Sequence, residues 1–364
     1  MGGDVTRLRH AFGQGRSFAL GMEEELLLVD PVTRRLANVA SGLLPRVRTE
    51  AGTVMPDVYE ACVETASPVC AHALEGGESL AHMRAALRDA GATLMGGGIH
   101  PDGAFGDAPH VESERYAEIG RQMRGLLGRT PTCALHVHVG MPDPGTAIRA
   151  FNKMRAHLPL LQGLAAHSPF WHGIDSGFAS ARAQLFRGYP RADIPRVFAG
   201  WEDYDTSVRE ITAAAGVPDY TYLWWDIRPH PNLGTLEVRA MDAQSRPDAV
   251  TGLAALTHGL VLHACDGPQG TPPPREVLVE GSYRASRDGL DARIHSRGSL
   301  RPLREVAADA MTLARPYLRE LGAEDALEGV ERILREGNGA DRMRAAHAQG
   351  GMEGMLEALV AETG

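Results

Sequence analysis

The sequence predicts an α+β fold, a largely antiparallel sheet with flanking helices. Strand-like and helix-like segments are mixed along its 364 residues without the regular strand–helix–strand alternation of a doubly wound fold. The strand candidates are short and are bounded by Gly- and Pro-containing turns. From residue 302 onward the text has helical spacing.

Taken in order, residues 1–15 read as a frayed start. Residues 17–30 (SFALGMEEELLLVD) have a buried-strand pattern, closed by the turn pair Asp30-Pro31. Leu80, Met83 and Leu87 predict a helix over 78–90, stopped by Gly91. Gly96-Gly97-Gly98 is a loop, and residues 132–140 form a second short strand ended by Pro142. A helix over 147–166 follows, which Pro159 should kink because proline cannot donate to the helical ladder. Residues 167–205 are rich in aromatics, Gly, Pro and Arg and have no clean period; irregular segments of that length are usually functional. Residues 235–241 alternate as a strand, and 249–264 read as an apolar helix. No internal repeat occurs, and the Pro-rich stretch 268–274 is too short to separate independent domains, so one domain over 1–364 with a helical C-terminal part from 302 is expected.

Composition excludes several classes. The net charge of −9, from 37 basic and 46 acidic residues, argues against a nucleic-acid partner, whose phosphates a binding face must neutralise. Cys62, Cys70, Cys133 and Cys265 are far apart, with no CxxC pair and no disulfide framework. Residues 1–16 lack the apolar core of a signal peptide. The longest weakly polar run, 251–264, is shorter than the ~18 residues a membrane span needs. A reduced, cytoplasmic protein with no nucleic-acid or membrane partner is expected; a homo-oligomer, such as a dimer, stays open.

Several residues point to chemistry. In Met22-Glu23-Glu24-Glu25-Leu26, strand alternation puts Glu23 and Glu25 on one face and Glu24 on the other. Adjacent carboxylates in an apolar strand repel each other and are costly to desolvate, two penalties that a divalent cation cancels. A solvated edge strand is the alternative. His136 and His138 also share one strand face; imidazole is a common transition-metal ligand, but paired core or surface histidines explain them equally well. Glu237 and Arg239 share a face in TLEVR, as a site or as a plain ion pair. Asp57, Glu60 and Glu64 would share a helix face, whereas an extended chain would unite only Glu60 and Glu64; an acidic surface accounts for them as well. Arg182, Arg228, Arg239, Arg284 and Arg287 have the planar fork that grips phosphate or carboxylate. There is no Walker loop and no GxGxxG, which argues against a P-loop or Rossmann nucleotide site; any ATP would have to be held by metal ions and arginines rather than by a glycine cradle.

Together these segments resemble the glutamate–cysteine ligase type 2 family of carboxylate–amine ligases. The matching text is GMEEELLLVDP (21–31), DVYEACVETASPVC (57–70), GGGIHPD (96–102), SERY (113–116), ALHVHVG (134–140), SPFWHGIDSGFASAR (168–182), WWDIRPHPNLGTLEVRAMD (224–242) and SYRASRDGLDA (282–292). The resemblance implies a glutamine-synthetase-like catalytic fold, with a curved, mainly antiparallel sheet whose concave face holds ATP and metal ions, Mg²⁺ or Mn²⁺. It places Glu23, Glu25, Asp57, Glu64, His136 and Glu237 at metal or ATP-phosphate positions, and Arg239 where an arginine meets the transferred phosphoryl group. Arg228 and Arg182 go with Arg239 as catalytic residues, and His138, Arg284 and Arg287 go with the cofactor. In one place the sequence departs from the family: Gly281-Ser282-Tyr283 replaces a usual Asn-Arg-aromatic run, and Asp288 stands where an aromatic is usual. That departure bears on the amine acceptor.

The implied reaction joins two small molecules, a carboxylate (glutamate by resemblance) and an amine (cysteine), through an acyl-phosphate at the expense of ATP. A metal-dependent hydrolase using His136 and His138 on a transition metal is the rival reading. A catalytically idle binding protein is a third, against which the intact acidic set and arginines argue.

Overall fold

The computed structural model describes residues 7–267 and 270–364. Residues 1–6 of the expected frayed start, and Pro268 and Gln269 of the linker candidate, lie outside the described residues. From residue 7 the start is anchored rather than frayed. Phe12 is 6% exposed within the main core, and the Ala11 N–H donates to the Pro231 carbonyl at 2.8 Å.

Strands β1 (Leu20–Leu28), β2 (Thr53–Pro56), β3 (Cys62–Ala66), β4 (Leu94–Met95), β5 (Ala134–Gly140), β6 (Ile227–His230) and β7 (Thr235–Asp242) form a seven-stranded sheet. Its order is β2-β3-β1-β5-β7-β6, with β4 beside the end of β1, and every pairing is antiparallel. Alternation gives this sheet two unlike faces. On one, Leu20 stands opposite Val139 and Met22 opposite Val137, and these valines stand opposite Leu236 and Val238. All of them are buried in the main core.

The apolar helix Pro247–Asp266 lies within the layer behind that face, packed against helices Ala73–Asp89, Pro144–Met154, Leu303–Glu320 and Glu328–Glu336. Close approach requires small residues here. A Cβ on Gly76 would stand 2.4 Å from Met22 Sδ, and one on Gly77 2.1 Å from Thr251 Oγ1.

Ahead of the expected kink at Pro159 the helix tightens into a 3₁₀ turn while the backbone stays helical. Helix Pro144–Met154 passes through a 3₁₀ turn, Arg155–His157, into a second helix, Leu158–Leu164. Pro159 sits in the first turn of that helix, where its missing N–H has no partner to lose. The irregular stretch 167–205 holds the hairpin of Phe170–Trp171 with Ile174–Asp175, helix Ala181–Arg187, and the start of helix Trp201–Ala215.

Glu24 breaks the apolar pattern of the core face. It is fully buried, and its two oxygens accept from Arg84 Nε at 2.8 Å and Nη2 at 2.7 Å. Arg84 also donates to the carbonyls of Ser245 at 2.6 Å, Gln244 at 2.8 Å and Thr363 at 3.2 Å. The solvated edge strand is thereby excluded: β1 is an inner strand, charged on both sides for different reasons.

Candidate active site

The opposite face of the sheet lines a cavity of about 280 Å³. Register assembles it: Glu23 lies across from His136, Glu25 from Glu64, and Glu237 from both His138 and Arg228. Between Leu135 and Val137 the β5–β7 ladder shifts register, so His136 faces both Arg239 and Ala240. Arg239 reaches the cavity by plain alternation from Glu237, and the bulge falls after it, where the ladder changes register.

Asp57 joins by neither of the spacings considered. It follows β2 and is folded back by the β2–β3 hairpin beside Glu64, while Glu60 turns away to accept the Ser41 N–H at 3.0 Å.

Two groups of donor atoms result, each within 4.8 Å of one another: Glu23, His138 and Glu237, and Glu25, Asp57 and Glu64. In the first, His138 Nε2 is 3.4 Å from Glu23 Oε1 and 3.8 Å from Glu237 Oε1. That nitrogen is buried and makes no hydrogen bond, while Nδ1 lies 3.0 Å from Thr235 Oγ1. Glu237 is gripped twice, by Arg228 Nε at 2.8 Å on one oxygen and by Arg239 Nη1 on the other. Arg228 is itself fixed by the carbonyls of Leu223 at 3.0 Å and Thr221 at 3.2 Å. In the second group, Glu25 accepts the Ala134 N–H at 2.6 Å.

The two groups differ electrostatically. Burial, then the Asp57 charge, pushes Glu25 up to about 8. Burial pushes Asp57 up to about 6, and burial with the charges of Glu23, Glu25 and Asp57 raises Glu64. This trio demands protons or a cation. Glu237 and Glu23 resist burial. The charges of Arg228 and Arg239 hold Glu237 well below the usual carboxylate range, and His138 and His136 hold Glu23 there. Burial, then Arg239, lowers His136 to about 4.

Of the residues named from sequence, Glu23, Glu25, Asp57, Glu64, His136, His138, Arg182, Arg228, Glu237 and Arg239 all line this cavity. Arg284 and Arg287 do not. On helix Arg275–Asp288 they pair with Glu280 at 2.7 Å and Asp288 at 2.7 Å, outside the lining. The histidines also separate: His136 Nδ1 lies 3.3 Å from Glu23 and 3.4 Å from Arg239, and only His138 joins a three-ligand group. Two imidazoles converging on one ion, as the hydrolase requires, are not found among the described residues. Of the family departure, Gly281 and Ser282 face the helix Leu158–Leu164, Ser282 donating to Gln162, while Tyr283 packs against Phe178 and Asp288 pairs with Arg287.

Sequence reasoning missed the wall formed by Tyr59, Arg115, Tyr116, Tyr189 and Trp224. Ser113 was the available signal: its hydroxyl caps helix Glu114–Met123 at 3.1 Å from Tyr116 N, which places residues 115 and 116 in the first turn. A second recess of about 180 Å³, mainly apolar, lies beyond Glu23 and His138 among Leu20, Met22, Val69 and Leu233.

The antiparallel sheet with its helices, and the acidic, arginine-bordered cavity on one sheet face, define an α+β fold of the glutamine-synthetase-like class. Residues 19–362 match the model of the glutamate–cysteine ligase family 2 (GCS2), and the chain belongs to that family. "Putative glutamate--cysteine ligase 2-1" of Rubrobacter xylanophilus is 35% identical over 344 residues, covering 92% of this chain and 91% of that protein. "Glutamate--cysteine ligase" of Haloquadratum walsbyi is 31% identical, covering 96% and 97%. Among solved structures, glutamate–cysteine ligase from Francisella tularensis in complex with AMP superposes with a TM-score of 0.71 at 12% identity, covering 95% of this chain and 88% of that one. A bifunctional glutathione synthetase from Pasteurella multocida gives a TM-score of 0.67 at 13% identity, covering 95% and 52%. Family membership makes the chain an ATP-dependent amide ligase by class. No helix of the described residues is long and apolar enough to cross a membrane.

Proposed function

We propose that the protein is an ATP-dependent carboxylate–amine ligase that activates a small carboxylate as an acyl-phosphate and passes it to an amine, with glutamate and cysteine as the first pair to test. The observation that carries this reading is the pair of three-ligand groups side by side on one sheet face, with Arg239 in the same cavity.

The donor set fits hard divalent cations. Five of its six members are carboxylates, three of them crowded together, and the unpartnered His138 Nε2 completes the other group. Glu25, Asp57 and Glu64 would hold one ion, and Glu23, His138 and Glu237 another. When bound, Mg²⁺ or Mn²⁺ neutralises the phosphate charge of ATP. The remaining work falls to the chain. Arg228 holds Glu237 in place, and Arg239, whose Nε has no hydrogen-bond partner, meets the phosphoryl group as it moves. A carboxylate oxygen bonds to the γ-phosphorus as ADP leaves; the amine nitrogen then bonds to the acyl carbon, and phosphate leaves as the nitrogen loses a proton. The apolar recess suits a nucleobase, and the polar cavity suits amino acids. The AMP in the Francisella tularensis structure supports a nucleotide as one ligand, and the names of the curated relatives support glutamate and cysteine as the pair.

The test is ADP release across pairs of amino acids and amines. Turnover is expected with Mg²⁺ or Mn²⁺ and is lost on chelation. Activity with Zn²⁺ alone, or hydrolysis without ATP, would overturn the reading.

A further inference from the structure

We infer that Arg115 forms a carboxylate subsite at the rim of the cavity, receiving the α-carboxylate of an amino-acid substrate. This deepens the ligase reading and rests on it.

Charge pairing singles Arg115 out. Three other arginines line the cavity, and each faces a carboxylate: Arg182 with Asp242 at 3.6 Å, Arg228 with Glu237 at 2.8 Å, and Arg239 with Glu237. Arg115 lines the same space, and no ion pair within 4.0 Å involves it among the described residues. Its head is nevertheless held in position. Nη1 donates to Thr221 Oγ1 at 2.9 Å, and the guanidinium lies 5.1 Å from the centre of the Tyr222 ring. Thr221 in turn donates its hydroxyl to Asp219 at 2.6 Å and accepts from Arg228 through its carbonyl at 3.2 Å. One short turn, Tyr220–Tyr222, thus steadies an arginine at the rim and another deeper in the cavity.

A guanidinium has five N–H donors, and the Thr221 contact occupies one, leaving an edge for two parallel bonds to a carboxylate. The layout of the cavity selects the orientation. Its floor holds the two candidate cation groups, where ATP and the reacting group must meet, while the rim carries the uncompensated Arg115. An amino acid whose reacting group is inward at the floor leaves its α-carboxylate outward, toward Arg115. Both donor and acceptor carry such a group, and the experiment separates them.

Arg115 is on an exposed helical turn, so R115A and R115K should fold, which circular dichroism checks. KM is measured in ADP release for cysteine against cysteamine with glutamate fixed, and for glutamate against 4-aminobutyrate with cysteine fixed. In R115A, KM for the carboxylate-bearing member of one pair should rise ~10- to 100-fold, the scale of a lost charge-assisted contact, and that of its decarboxylated partner much less. R115K should recover part of the loss, since it keeps charge without the fork. Selectivity in the first pair assigns the subsite to the acceptor, and in the second to the donor. Equal changes within both pairs overturn the inference alone. A wild-type protein that releases no ADP with any amino acid or amine overturns the ligase reading and the subsite with it.

Discussion

Replacing Glu24 by alanine should unfold the protein early while leaving the chemistry of the surviving fold intact. Face parity puts Glu24 behind the sheet, away from Glu23 and Glu25, and suggests a tolerant position. Its surroundings say otherwise. The carboxylate is fully buried and makes a two-point contact with Arg84, which is itself 2% exposed. Alanine leaves that guanidinium charged, buried and bound only to neutral carbonyls. Removing one partner of such a pair costs about 3–5 kcal/mol, against a total stability of ~5–15 kcal/mol. The melting temperature should fall by roughly 5–15 °C. Removing both charges is milder, because no uncompensated ion remains, so Glu24→Leu with Arg84→Met should recover part of the loss. Thermal and denaturant unfolding followed by circular dichroism measure the cycle, and ADP release well below the melting range reports on the site. A Glu24→Ala variant that melts with the wild type, or a double variant no better than Glu24→Ala, would refute the reasoning.

Arg239→Lys should lower turnover by about 10²-fold or more, the scale of one lost transition-state donor, with ATP affinity nearly unchanged. Because Arg228 still holds Glu237, little change in melting is expected; early melting with native turnover would make Arg239 a structural residue. Stability should also fall on acidification through His258, which is fully buried and donates from Nε2 to the Phe18 carbonyl at 2.8 Å while Nδ1 has no partner. Burial lowers its pKa from 6.5 to about 4, so between those values the unfolded chain binds a proton that the folded chain refuses. The loss begins below pH ~6.5 and reaches about 3 kcal/mol near pH 4. A His258→Gln variant should lack that component of the pH slope, and identical slopes would sink the assignment.

Much of the site was legible because strand alternation is a strict rule. Glu23 with Glu25, His136 with His138, and Glu237 with Arg239 share faces as the two-residue period requires. What alternation cannot supply is the neighbour across the sheet. That Glu25 stands beside Glu64, or His138 beside Glu237, depends on strand order and register, set by pairings between distant segments. Asp57 escaped both periodicities because a hairpin, not a helix or a strand, carries it to the site. The role of Glu24 escaped for the same reason: its partner is 60 residues away on a helix. Arg284 and Arg287 were misplaced because a guanidinium beside a helical Glu280 or Asp288 satisfies itself locally, which composition does not distinguish from a free one.

The contacts of Arg84 also set an order of events. Its partners lie 60, 160, 161 and 279 residues away along the chain. Contacts at such separations close large loops and form late in folding. The last of them is to Thr363, whose hydroxyl also accepts the Gly96 N–H at 2.9 Å. A nascent chain can therefore pair β1 with β3 and β5 long before the charge beneath β1 gains its final partner. Until residues near 363 dock, Arg84 lacks only its Thr363 contact, since Glu24 and the Ser245 and Gln244 carbonyls already meet it, and the last helix seals a charge that is otherwise paired.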